Sequence, residues 1–113
     1  MTEIWHNPRC SKSRQTLAIL EDRGEDVTVR RYLEDAPDAA TLRSVLTALD
    51  AAPIAIMRTG ETRFKELGLT KDSPDDTLIA AMVAHPILIE RPIVIKEGKA
   101  RIGRPPESVI EIL

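Results

Sequence analysis

The first thirty-two residues constrain the fold most. Thr2–His6 is a short stretch that stops at Asn7-Pro8, a turn signal, and reads as an edge-limited strand running into a loop. From Ser11 the pattern turns helical: Leu17 and Leu20 recur at helical spacing, and Gly24 stands where a C-terminal cap belongs. Val27–Tyr32 then alternates and is β-branched, which predicts a second strand. Strand, helix, strand in so short a span is a βαβ unit, and its two strands run parallel. A chain that starts this way is committed to an α/β sheet covered by helices.

The remaining 81 residues have to complete that sheet, and they do so late. Asp38 is the predicted N-cap of a helix carrying Leu42, Val45, Leu46 and Leu49. A shorter helical segment around Phe64 and Leu67 stops at Gly68. Ser73-Pro-Asp-Asp76 predicts another helix start, with Ser73 as cap, Pro74 in the first turn and acids favoured by the helix dipole. Leu78, Ile79, Met82 and Val83 form its apolar stripe, and His85-Pro86 ends it. Pro92–Ile95 and Ala100–Gly103 are predicted strands joined by a two-residue turn at Glu97-Gly98. Pro105-Pro106 opens a short terminal helix carrying Val109, Ile110 and Leu113. The expectation is one 1–113 domain of class α/β: a small four-stranded mixed sheet, thioredoxin-like in element order, with a helical insertion at about 37–86 between a βαβ and a ββα half.

Composition narrows the function. At 113 residues, with 42 % hydrophobic and 30 % charged residues, the chain has ordinary globular make-up. Its longest apolar runs are far short of the ~18 residues of a membrane span, and its first residues show no basic patch followed by an apolar run. A cytoplasmic protein with no membrane partner is expected. Three aromatic residues, Trp5, Tyr32 and Phe64, are too few for a base-stacking platform. The net charge of −2 is concentrated: residues 32–87 carry nine acidic and five basic groups, while the flanking segments are each slightly positive. A nucleic-acid partner is not expected from that distribution.

Cys10 is the only cysteine. No internal disulfide can form and no multi-cysteine metal site is available. It stands where Asn7-Pro8-Arg9 hands over to the first helix, so the thiol would meet the positive end of the helix dipole and unpaired N–H groups, with Arg9, Lys12 and Arg14 adjacent. The competing reading is a buried structural cysteine. His6 could reach the thiol and hold or transfer its proton; a half-exposed histidine without a role is the alternative. Ser13 occupies the position where redox dithiol motifs place a second cysteine. A mixed disulfide on Cys10 therefore needs an outside thiol. Arg91 precedes Pro92 at the start of a strand, where thioredoxin-like folds hold a cis-proline facing the active-site helix. Arg58 and Arg104 are two further candidates; each alone would pass for a surface salt-bridge residue. Three guanidiniums meeting one thiolate would clamp a tetrahedral oxyanion.

Four blocks carry a resemblance: His6-Asn-Pro-Arg-Cys-Ser-Lys-Ser-Arg14, the Arg58 segment through Phe64-Lys-Glu-Leu-Gly-Leu69, His85-Pro-Ile-Leu-Ile-Glu-Arg-Pro-Ile-Val94 and Gly103-Arg-Pro-Pro106. In order and spacing the chain resembles the glutaredoxin-coupled arsenate reductase family. The Cys-Ser-Lys-Ser version looks like its housekeeping branch, encoded outside dedicated arsenic operons. The resemblance implies a thioredoxin-like fold and Cys10 as the nucleophile that attacks arsenate. It implies that Arg58, Arg91 and Arg104 bind the oxyanion and the thiol-bound arsenic, with His6 beside the cysteine. It further implies glutathione as co-substrate and glutaredoxin as reductant, with no metal and no bound cofactor. Two other functions compete. One is a glutathione-dependent thiol-disulfide reductase. The other is a redox regulator binding RNA polymerase, which stands third because such sensors usually carry a second thiol where this chain has Ser13.

Overall fold

The computed structural model describes residues 2–113. They divide into two compact units, residues 2–35 with 91–113, and residues 36–90.

The first unit holds the sheet. Strands β1 (Thr2–Trp5), β2 (Val27–Arg30), β3 (Ile93–Lys96) and β4 (Lys99–Ile102) lie in the order β2-β1-β3-β4. β1 and β2 are parallel, from Thr2 opposite Val27 to Trp5 opposite Arg30. β3 runs antiparallel to β1, with Ile4 facing Val94, and β4 runs antiparallel to β3. β1 is therefore an inner strand and not the edge-limited one its length suggested. The parallel partner comes from the α1 crossover, and the other partner is supplied from the far end of the chain. Pairing of β2 ends at Arg30, so Tyr32 is buried in the turn beyond it. In the β3–β4 turn Glu97 (φ 50°) and Gly98 (φ 79°) both take positive φ, the requirement of a two-residue turn that follows the twist of its strands.

Helix α1 (Ser11–Asp22) connects the parallel strands. It ends as the sequence predicts: Gly24 lies in the left-handed region at φ 72°, and the Glu25 N–H returns to the Leu20 carbonyl. A 3-10 helix at Pro106–Ile112 packs on α1 and β4. Ile4, Leu20, Val94, Val109 and Ile112 form the core between them, each worth roughly 1.5–3 kcal/mol of burial. The terminal helix was expected to carry Val109, Ile110 and Leu113. Val109 is buried as expected and Leu113 packs partly against the same core; with three residues per turn the second buried residue is Ile112, and Ile110 is 39 % exposed.

The second unit is helical. Helix α2 (Ala39–Leu49) starts at Asp38, whose Oδ1 accepts the Thr41 N–H at 2.8 Å, and buries Leu42, Val45 and Leu46. A 3-10 helix at Pro53–Ile56, α3 (Thr62–Glu66), α4 (Asp75–Ala84) and a 3-10 helix at Pro86–Leu88 follow. Ser73 is not the cap of α4. Pro74 takes that position in extended conformation, and the Ser73 hydroxyl accepts the Thr70 N–H at 2.9 Å. The first turn of α4 carries Asp75 and Asp76 as expected. Among the described residues no helix is long and apolar enough to cross a membrane.

Candidate active site

The loop between β1 and α1 is built by short-range hydrogen bonds. The Asn7 side chain accepts the Arg9 N–H at 3.0 Å, and the Cys10 N–H donates to the Asn7 carbonyl at 3.0 Å. The chain thus turns within Asn7–Cys10 and delivers Cys10 as the N-cap of α1, extended at φ −94° and ψ 123°. Its thiol closes no full capping hydrogen bond, yet the N–H groups of Ser13 and Lys12 face the sulfur. Burial is the largest single influence on Cys10 and raises its pKa. The Ser13 N–H, the Arg91 side chain, the Lys12 N–H and the Arg91 charge together outweigh it. The thiol is held below the ordinary cysteine value, which is the condition for a reactive thiolate.

Two of the three candidate arginines stand at this sulfur. Arg91 hydrogen-bonds the thiolate from the residue before Pro92, and the Arg91–Pro92 bond is cis, as the fold reading required. Arg104 follows β4, places Nη2 3.8 Å from the Cys10 Sγ and donates Nε to the Arg91 carbonyl at 2.9 Å. One guanidinium therefore reads both the sulfur and the backbone that carries the other. Arg104 is exposed and Arg91 half-buried, so the pair faces outward over the thiol. Arg58 belongs to the second unit. Its guanidinium there meets Glu61 at 2.6 Å and Glu90 at 4.0 Å, and its N–H donates to the Leu88 carbonyl.

His6 is buried, and its ring Nδ1 lies 2.6 Å from the Ser13 hydroxyl rather than on the thiol. The same hydroxyl accepts the Asn7 N–H at 3.0 Å, so its own proton can point to Nδ1. Burial first, then the Arg31 and Arg14 charges, lower the His6 pKa, which keeps the ring neutral at pH 7. Ser13 is fully buried and joins three parts of the site: the end of β1 through His6, the loop through Asn7, and the sulfur through its own N–H. In the sequence Ser13 marks only the place of a missing second thiol. Its helical position three residues after the cap was the available signal, since that is the residue whose N–H an N-cap atom receives.

A thiolate with two helix-start N–H groups and two guanidiniums is suited to a tetrahedral oxyanion: the nucleophile and the charge that stabilises the displaced oxygens occupy one spot. Among the described residues no group of three His, Cys, Asp or Glu side chains is arranged to hold a metal ion.

The ArsC family model matches residues 5–112. This chain is an ArsC-family protein. An arsenate reductase of Neisseria meningitidis is 44 % identical over 113 residues, covering 98 % of this chain and 97 % of the relative. The Escherichia coli protein YfgD is 52 % identical over 113 residues, covering 98 % and 95 %. The solved structure of an arsenate reductase from Vibrio cholerae superposes with a TM-score of 0.94 at 50 % identity, covering 99 % of this chain and 97 % of that one. The ArsC-family fold is thus the thioredoxin-like α/β arrangement that the element order predicts, with a four-stranded mixed sheet.

Proposed function

We propose that this ArsC-family protein reduces arsenate to arsenite through a covalent adduct on Cys10, with glutathione and glutaredoxin as outside thiol donors. The observation that carries the reading is the Cys10 sulfur at the start of α1, met by Arg91 and by Arg104 at 3.8 Å. Relatives bearing the name arsenate reductase at 44 % and 45 % identity favour arsenate among oxyanions.

In this reading the Cys10 thiolate attacks arsenic(V), a sulfur–arsenic bond forms, and one arsenate oxygen leaves as water after protonation. Arg91 and Arg104 balance the charge of the remaining oxygens. His6, expected from the sequence to move the thiol proton, acts in this reading through Ser13, whose hydroxyl its ring holds at 2.6 Å. A glutathione thiolate then adds to the adduct. Reduction to arsenic(III) needs two electrons, which two thiols supply as they become a disulfide, and arsenite departs. Glutaredoxin takes up the glutathionyl group and returns Cys10 to the thiol. With one cysteine in the chain, these later steps require thiols from outside. The reading sets the reaction in the reducing cytoplasm, where glutathione is kept as thiol.

Arsenate-dependent NADPH oxidation with glutathione, glutaredoxin and glutathione reductase tests it: turnover is expected in the parent protein and none in Cys10→Ser. A second reading, glutathione-dependent reduction of mixed disulfides, draws on the same lone low-pKa thiol. Turnover of a glutathionylated peptide equal to or above that of arsenate would favour it. A redox regulator of RNA polymerase lacks the second thiol at Ser13, and recovery of polymerase subunits without any turnover is the result that would raise it.

A further inference from the structure

Gly103 closes β4 against two other pieces of the site. Its N–H donates to the Pro92 carbonyl at 2.9 Å. A Cβ added there would lie 2.5 Å from the Thr16 Oγ1, 3.2 Å from the Thr16 Cγ2 and 2.7 Å from the Pro92 Cγ. Carbon and oxygen atoms do not approach so closely without a bond, so the need for glycine is one of space. Neither neighbour can step aside. Thr16 is fully buried and β-branched, and its hydroxyl is committed to the Lys12 carbonyl at 2.8 Å. Pro92 is a closed ring on a fixed backbone.

The three contacts join the elements that set the thiol's surroundings. Thr16 is one turn beyond Lys12 and Ser13, whose N–H groups face the sulfur. Pro92 follows Arg91, and Gly103 precedes Arg104. Arg104 in turn holds the Arg91 carbonyl at 2.9 Å and reaches Sγ at 3.8 Å. We infer that Gly103, seated on Thr16 and Pro92, is the positioning residue that sets how closely Arg91 and Arg104 approach the Cys10 sulfur. The inference rests on Cys10 being the reactive group. Any side chain at 103 drives the end of β4 off α1 by about 1 Å, a displacement that can lower a rate on the order of 100-fold when the reacting groups are carried with it.

The test is the pH dependence of Cys10 alkylation by iodoacetamide, a probe with one target because the chain has one cysteine. In folded Gly103→Ala the alkylation midpoint is expected to rise towards that of an ordinary cysteine, with arsenate KM raised and kcat/KM lowered in the coupled assay. An unchanged midpoint in a folded variant overturns the inference, since loss of stability alone would leave it in place. If Gly103→Ala does not fold, Thr16→Ala/Gly103→Ala removes the nearest obstacle but keeps the Pro92 Cγ at 2.7 Å from the added Cβ, so the end of β4 is still displaced, and it is compared with Thr16→Ala. A higher midpoint in the pair supports the positioning role, and equal midpoints overturn it. Should the parent protein fail to reduce arsenate while the midpoint still rises, the positioning role stands and the arsenate reading falls.

Discussion

Removing one hydroxyl should cost this protein a large part of its stability. Ser13 is fully buried, and its Oγ serves both the His6 ring at 2.6 Å and the Asn7 N–H at 3.0 Å. Ser13→Ala leaves a ring nitrogen and a backbone N–H without that partner in places that are 6 % and 8 % exposed. A buried polar group deprived of its hydrogen bond costs roughly 1–3 kcal/mol. Two such groups, at about 1–2 kcal/mol each, cost about 2–4 kcal/mol, and the better helix propensity of alanine returns about 0.5 kcal/mol. The expected net loss is about 1.5–3.5 kcal/mol, against a typical total of roughly 5–15 kcal/mol. For a chain of this size that corresponds to a fall in Tm of about 10 °C. Urea unfolding at pH 7.5, followed by the fluorescence of the buried Trp5, gives the measurement. Ser11→Ala, on an exposed residue of the same helix turn, is the control and should change stability by less than about 0.5 kcal/mol. If the two variants unfold alike, the Ser13 hydroxyl is not the tie between β1, the loop and α1. The Ser13 N–H towards Cys10 survives the substitution, so the variant separates stability from tuning of the thiol.

Other outcomes follow from the same geometry. The Cys10 alkylation profile should lie below that of an unperturbed cysteine, and Arg91→Ala should move it upward, because that side chain both hydrogen-bonds the thiolate and carries opposing charge. No movement would remove Arg91 from the site. His6 has a lowered pKa in the folded chain, so the unfolded chain binds the extra proton first. Stability is full above the unfolded histidine value of 6.5 and declines as pH falls through and below it; in His6→Asn that decline between pH 7 and 5 should be smaller. Asp38→Ala removes the cap on Thr41 and should cost about 1 kcal/mol in urea unfolding, with no effect on Cys10 alkylation.

Local chemistry was legible in the sequence, and contacts between distant segments were not. Asp38 as a cap, Gly24 at the end of α1 and Glu97-Gly98 as a turn are decisions taken within a few residues, and the structure shows each of them. Ser73 was misread because two caps compete there: a proline already holds the extended conformation, and the serine's own turn with Thr70 takes its hydroxyl. The sequence does not show which face of the terminal helix is buried, because a 3-10 helix repeats every three residues, which sets Val109 and Ile112 inward and leaves Ile110 exposed. At the site, Cys10 could be placed from the loop-to-helix transition alone. The Ser13–His6 contact spans seven residues and the Arg104–Cys10 approach spans 94, and neither leaves a period in the sequence. Gly103 looked like part of a motif. Its reason is the surface of α1, which only the folded chain brings to it.

In the proposed reaction a lone thiolate starts the reduction and cannot finish it. Arsenite release from arsenate, measured in three mixtures, tests this most directly: the protein alone, the protein with glutathione, and the protein with glutathione and glutaredoxin. Sustained arsenite release is expected only in the last, and none in any mixture containing Cys10→Ser. Repeated turnover by the protein alone, or none with both thiol donors present, would contradict it.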